Sequence, residues 1–170
     1  QTVMEINLNA MLSNLKKYQK MLQAGTRLMA MVKAFSYGSG SFEIANLLQY
    51  HGADYLAVAF TDEGVELRKC GITLPIMVMN PEAISFDVMA EHNLEPEIFS
   101  FQQLKQFESF LEQEGIPGYA VHLKIDTGMH RLGFMPDEIE ELCRLLNAKK
   151  YFSIQSVLSH LESSEDEGDD

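Results

Sequence analysis

Six short apolar runs, separated by amphipathic stretches, constrain this chain more than any other feature. RLMAMVKA (27–34), DYLAVAF (54–60), PIMVMN (75–80), EPEIFS (95–100), YAVHLKID (119–126) and FSIQSVLSHL (152–161) read as strands. Strands this continuously apolar have no face to give to water, so helices must cover both sides, as in a parallel sheet whose strands connect through helices. The helices are expected over 8–22, 41–52, 62–71, around 86–92, over 102–115 and from 137 to about 149. In the first, Met11, Leu12, Leu15, Tyr18 and Leu22 share one face and Asn9 can cap the start; Gly52 and Gly71 close the second and third. The expected class is α/β: an eight-stranded (β/α)8 TIM-type barrel short of its last two units, or an open doubly wound sheet. Nothing in composition divides the chain, so 1–170 is expected to be one incomplete barrel domain.

Composition removes several functions. Thirteen basic against 25 acidic residues give a net charge of −12, which repels phosphate backbones, so no nucleic-acid partner is expected. No apolar run approaches the roughly 20 residues that span a bilayer. The start, QTVMEINLNA, lacks a basic region followed by an apolar one, so a cytoplasmic protein without a membrane partner is expected. Gln1 and the acidic run EDEGDD (165–170) suggest ends cut from a longer parent, the run itself reading as a solvated loop. Cys70 and Cys143 sit in apolar helical patterns and are expected to be free, buried thiols, and Met29, Met31, Met77 and Met79 to be core filler. His51, His92, His122 and His130 lack zinc-ligand spacing, so no metal is expected.

Active residues of α/β folds gather at the carboxyl ends of strands, where Lys33, Lys124, Asp126 and His160 all fall. Lys33 stands in VKAFSYGSG (32–40), behind Met29, Ala30, Met31 and Val32. An amine partly desolvated there favours the neutral nucleophile that forms an imine; the competing reading is a strand-end lysine that reaches out to water. In HLKIDTGMHRLGF (122–134), alternation puts His122, Lys124 and Asp126 on one face and Val121, Leu123 and Ile125 on the other. The loop that follows offers Arg131 as a fork for an oxygen anion, with glycines that permit close backbone approach. A structural reading stands beside it: Asp126 caps the turn while Lys124 and Arg131 make surface ion pairs. The GSG of 38–40 is too short to specify a nucleotide loop, although a helix starting near Ser41 has backbone donors for a phosphate.

VKAFSYGSG, DYLAVAFTDEGVELRKCGITLPIMVMN (54–80), HLKIDTGMHRLGF and VLSHLESSEDE (157–167), in that order, closely resemble the pyridoxal-phosphate barrel domain of bacterial alanine racemases. The resemblance implies an eight-stranded barrel followed by a β-rich domain, pyridoxal 5'-phosphate as cofactor, alanine as substrate, and a homodimer that shares each active site. It further implies racemisation of L- and D-alanine, supplying D-alanine for peptidoglycan. Carried over residue by residue, Lys33 would join the cofactor through an imine and act as one of two bases at Cα, while Tyr37 would contact the phosphate. Arg131 would approach the phenolic oxygen of the cofactor ring and help hold the substrate carboxylate. Lys124 matches a position that some members carbamylate, and His160 would lie beside the ring.

The usual lysine loop is closer to KANAYGHG, whereas this chain has Phe35, Ser36 and Ser39 where family members often carry Asn, Ala and His. The pyridine-facing arginine, most of the phosphate loop and the partner's tyrosine base would lie past Asp170, so the chain by itself is expected to be inactive. A non-catalytic single-domain pyridoxal-phosphate barrel and another barrel enzyme of the same cofactor, such as an amino-acid decarboxylase, are the alternatives.

Overall fold

The computed structural model describes residues 2–147 and 151–162. The acidic run 165–170 and the expected end of the last helix at Lys149 lie outside the described residues. The chain forms two compact units, residues 1–80 with 87–94, and residues 81–86 with 95–170.

In the first unit, α1 (Leu8–Met21) runs into β1 (Met29–Met31), a turn α2 (Lys33–Tyr37), α3 (Ser41–Tyr50), β2 (Tyr55–Val58), α4 (Thr61–Lys69) and β3 (Ile76–Val78). Asn7, not Asn9, caps α1: its Oδ1 accepts from the Ala10 amide at 3.0 Å, because the capping residue is the one just before the first helical position. β1, β2 and β3 pair in parallel, with Met29 opposite Tyr55 and Leu56 opposite Ile76. Leu56, Ala57, Val58, Ile76, Met77 and Val78 are all buried, which is why these strands read as unbroken apolar runs. Behind β2, Gly64 of α4 lets the helix approach Leu94, where a Cβ would lie 3.0 Å from both methyl carbons. Gly52 and Gly71 follow α3 and α4 with φ of +81° and +89°, as expected of helix-closing glycines.

The second unit takes in most of β4 (Leu94–Ile98), then α6 (Phe101–Glu114), β5 (Tyr119–Lys124), α7 (Ile139–Asn147) and β6 (Phe152–Leu158); α5 (Phe86–Glu91) begins at the boundary. Ser100 caps α6 by accepting from the Gln103 amide, and Gly115 closes it with φ +67°. Here too the pairing is parallel, Glu97 opposite His122 and Tyr119 opposite Phe152, with a bulge where Val121 faces Ile154 but His122 faces Ser156. Phe107 centres this core, meeting the rings of Phe86 at 4.8 Å and Tyr119 at 5.3 Å edge-on, with Phe152 stacked at 6.3 Å. Edge-to-face aromatic pairs contribute about 0.5–1.5 kcal/mol beyond their area. β6 is less covered, with Val157 62 % exposed.

Three expectations fail on burial. Cys70 and Cys143 are free but exposed. Cys70 is the residue after the last helical position of α4, where the chain turns out through Gly71, and Cys143 is one residue, about 100° of helix, round from the buried Leu142. Among the methionines, Met77 is core but Met29 is exposed at the start of β1. Among the described residues no helix is long and apolar enough to cross a membrane.

Candidate functional site

β1 stops earlier than its apolar run. Val32 still donates to the Ala57 carbonyl at 2.8 Å, but at Lys33 the chain leaves the sheet. Ala34, Phe35, Ser36 and Tyr37 then adopt φ between 49° and 55°, four consecutive non-glycine residues in the left-handed region, before Gly38 at +86°. The turn is closed by Ser36 donating to Val32, Gly38 to Ala34 and Gly40 to Phe35, each at 3.1 Å. Left-handed geometry costs L-residues about 1–2 kcal/mol apiece, so something outside the turn must hold it.

Glu63, the third residue of α4, does so. Its Oε1 accepts from the Ala34 amide at 2.7 Å, and its Oε2 accepts from Ala59 at 2.7 Å and Phe60 at 3.2 Å. One carboxylate thus ties the residue after Lys33 to the end of β2 and to the start of α4, with charge-assisted bonds of about 1.5–3 kcal/mol each. Glu63 is not among the candidates that the sequence offers. The available signal was an acidic residue at the third helical position, which ordinarily turns back only on its own helix start.

Lys33 is half-buried at the head of this turn, whereas Tyr37 is 67 % exposed. Ser36 points inward, and its Oγ has no hydrogen-bond partner among the described residues. The start of α3 already faces an anion of its own: a Cβ on Gly40 would lie 2.7 Å from Glu43 Oε2, so the helix end near Ser41 is beside a carboxylate before any phosphate arrives.

In the second unit the polar face of β5 is buried, and each group on it has a partner. His122, 1 % exposed, contacts Glu95 Oε2 through Nε2 at 2.9 Å and Ser156 Oγ through Nδ1 at 2.7 Å. Lys124, the last residue of β5, donates from Nζ to Glu97 Oε1 at 3.2 Å, with both side chains buried. The surface ion pair expected of Lys124 is therefore a buried one, because strand pairing sets Glu97 opposite His122 on the same inward face. Burial pushes the Glu97 carboxyl above its ordinary value, while the charges of Lys124, His122 and Arg131 pull it back.

Asp126 caps the loop as the structural reading expected. Its Oδ1 accepts from the amides of Gly128 and His130, both at 3.0 Å, and these bonds hold its carboxyl below the usual aspartate range. The loop returns through Gly133, whose φ is +129° and whose Cβ would strike the Asp126 nitrogen at 2.5 Å, so only glycine fits. Phe134 then bonds back to Lys124 and Asp126 at 2.9 Å. Arg131 rides this closed loop with its side chain exposed. His160 lies past the end of β6 at Leu158, also exposed, rather than inside the strand. Within each unit, then, the predicted residues gather: Lys33 and Tyr37 in one turn, and Lys124, Asp126 and Arg131 around one strand end.

Residues 6–170 match the family model for the alanine racemase N-terminal domain. Alanine racemase 2 of Bacillus subtilis strain 168 is 37% identical over 165 residues, covering 95% of this chain and 42% of its own length. Among solved structures, alanine racemase of Clostridium difficile 630 superposes with a TM-score of 0.89 at 31% identity, over 98% of this chain and 45% of that one. The Bacillus anthracis alanine racemase with bound L-Ala-P gives 0.84 at 26% identity, over 94% and 42%. The chain spans less than half the length of these relatives. Its fold class is the partial (β/α) barrel of that type, and not the open doubly wound sheet.

Proposed function

This chain belongs to the alanine racemase N-terminal-domain family, and from that premise we propose that the protein containing it interconverts L- and D-alanine with pyridoxal phosphate carried on Lys33. The observation that carries the proposal is the anchoring of Lys33: a half-buried amine at the carboxyl end of β1, followed by a backbone locked left-handed through Glu63. A strained, externally supported turn directly after a lysine is where stored conformational cost serves positioning.

When bound, pyridoxal phosphate supplies the electron sink that acidifies the substrate Cα. The residues of this chain bind, orient and move the proton. Lys33 exchanges it on one face of Cα, and Glu63 limits where that amine can go by fixing the backbone one residue on. Tyr37, with its hydroxyl in the open, offers a donor to the cofactor phosphate. Arg131 presents a guanidinium fork to the substrate carboxylate, on a loop that Asp126 and Gly133 hold closed. His160 contributes ring-side support. Racemisation needs a base on each face, since a single base would return the proton to the side it left. We therefore assign turnover to a longer, homodimeric, cytoplasmic protein that supplies D-alanine for peptidoglycan, and none to residues 1–170 alone.

Borohydride reduction of the full-length protein with pyridoxal phosphate should fix the cofactor to the peptide containing Lys33, and the protein should equilibrate the two alanines. Label on Lys124 instead, or undiminished racemase activity in Lys33→Ala, would sink the assignment.

A further inference from the structure

One buried charge is left over from this chemistry. Glu97 is fully buried, its Oε1 meets Lys124 Nζ at 3.2 Å, and its Oε2 has no hydrogen-bond partner among the described residues. A buried carboxylate oxygen without a donor is costly, and only a few such groups are tolerated in a fold. Its position leaves room for a second cation beside Lys124: Glu97 lies opposite His122 on β5, and the Arg131 guanidinium on the loop that follows is the weakest of the charges that lower its carboxyl. Arg131, meanwhile, is exposed and has no ion pair among the described residues.

We propose that Glu97 is the fixed anion of this strand end, a positioning residue that holds Lys124 as an unmodified ammonium on one oxygen and takes the inward-turned Arg131 guanidinium on the other. Carbamylation of Lys124 would work against this arrangement. The neutral amine would have to attack carbon dioxide, releasing a proton, and the product would set a second anion against a carboxylate that burial already disfavours. With Glu97 in place the arginine has its counter-charge without that modification. The inference deepens the racemase reading in one respect: it names what orders the arginine assigned there to the substrate carboxylate.

Two measurements on the full-length protein test it, and neither needs turnover, so a protein without racemase activity would sink the proposed function and leave this test standing. The first is carbon-13 NMR in labelled bicarbonate. No carbamate resonance that disappears in Lys124→Ala is expected; such a resonance would overturn the proposal. The second is the rate at which an arginine-specific dicarbonyl labels Arg131, read by peptide mass spectrometry against the other arginines. Glu97→Gln, which keeps the shape but not the charge, should speed labelling of Arg131 several-fold, and Glu97→Asp should restore much of the protection. Equal rates in wild type and Glu97→Gln would overturn the pairing. If Glu97→Gln does not fold, wild type and Glu97→Asp are compared across salt concentration, where protection that does not weaken with added salt in either would count against it.

Discussion

The turn after β1 and the loop after β5 solve the same problem, holding a cationic side chain at a strand end, by opposite means. At Lys33 the device is backbone: four left-handed residues whose side chains are mostly exposed, pinned from outside by Glu63. At Lys124 the device is side-chain charge: buried Lys124, Glu97 and His122 with Glu95 and Ser156, on a strand with no left-handed residue. The difference bears on which positions can vary. Phe35 and Ser39 depart from the usual lysine loop, yet they sit where conformation rather than identity is specified, and Phe35 is 62 % exposed. On β5, losing one member strands another in a dry environment.

Replacing Lys33 by Ala is the strongest way to separate the two corners. In the full-length protein it should lower racemase activity by about 10³-fold or more, the scale of a lost proton-transfer group, while the unfolding midpoint barely moves. A large loss of stability would show that the lysine, and not the turn, holds the corner. Next in size, Lys124→Ala should destabilise by about 3–5 kcal/mol in urea unfolding, because buried Glu97 would lose the ammonium on its Oε1. Adding Glu97→Gln to it should recover a substantial part; strict additivity of the two losses would break the charge-built account.

Glu63→Gln is the counterpart in the first unit. An amide keeps one acceptor but turns an N–H toward backbone donors, so about 1–3 kcal/mol should be lost. Racemase activity should fall more than that loss alone explains, through displacement of Lys33. Unchanged kinetics would mean that the left-handed turn holds itself. The smallest effect is expected from Asp126→Asn. Its carboxyl is depressed in the folded chain by the Gly128 and His130 amides, so the unfolded state takes up the proton first as pH falls. The stability it contributes is present above the ordinary aspartate value and is lost as pH drops through the lower folded one. Asparagine should flatten that acid limb by giving up this contribution near neutrality, leaving stability in strong acid little altered; an unchanged acid limb would remove Asp126 as its cause.

The alternation of apolar runs with amphipathic helices determined the α/β class, and five of the six strands lie inside their predicted runs while β4 starts one residue early at Leu94, because continuous burial leaves the same mark on any strand covered on both faces. Lys33, Lys124 and Asp126 were legible for a related reason: a charged residue that ends an apolar run has to be accommodated at the strand's carboxyl end. The partners of those residues were not legible. Glu63 lies 29 residues from the Ala34 amide it binds, and Glu97 lies 27 residues from Lys124. Each acidic residue looked locally like a helix-start carboxylate or a strand residue like any other. Left-handed geometry over Ala34–Tyr37 was equally hidden, since none of these four residue types prefers it and only bonds made from another element hold it. Local pattern records which residues must leave water. Which of them meet, and which backbone is bent to make them meet, is decided by parallel pairing that sets Glu97 opposite His122 and carries α4 back to the end of β1.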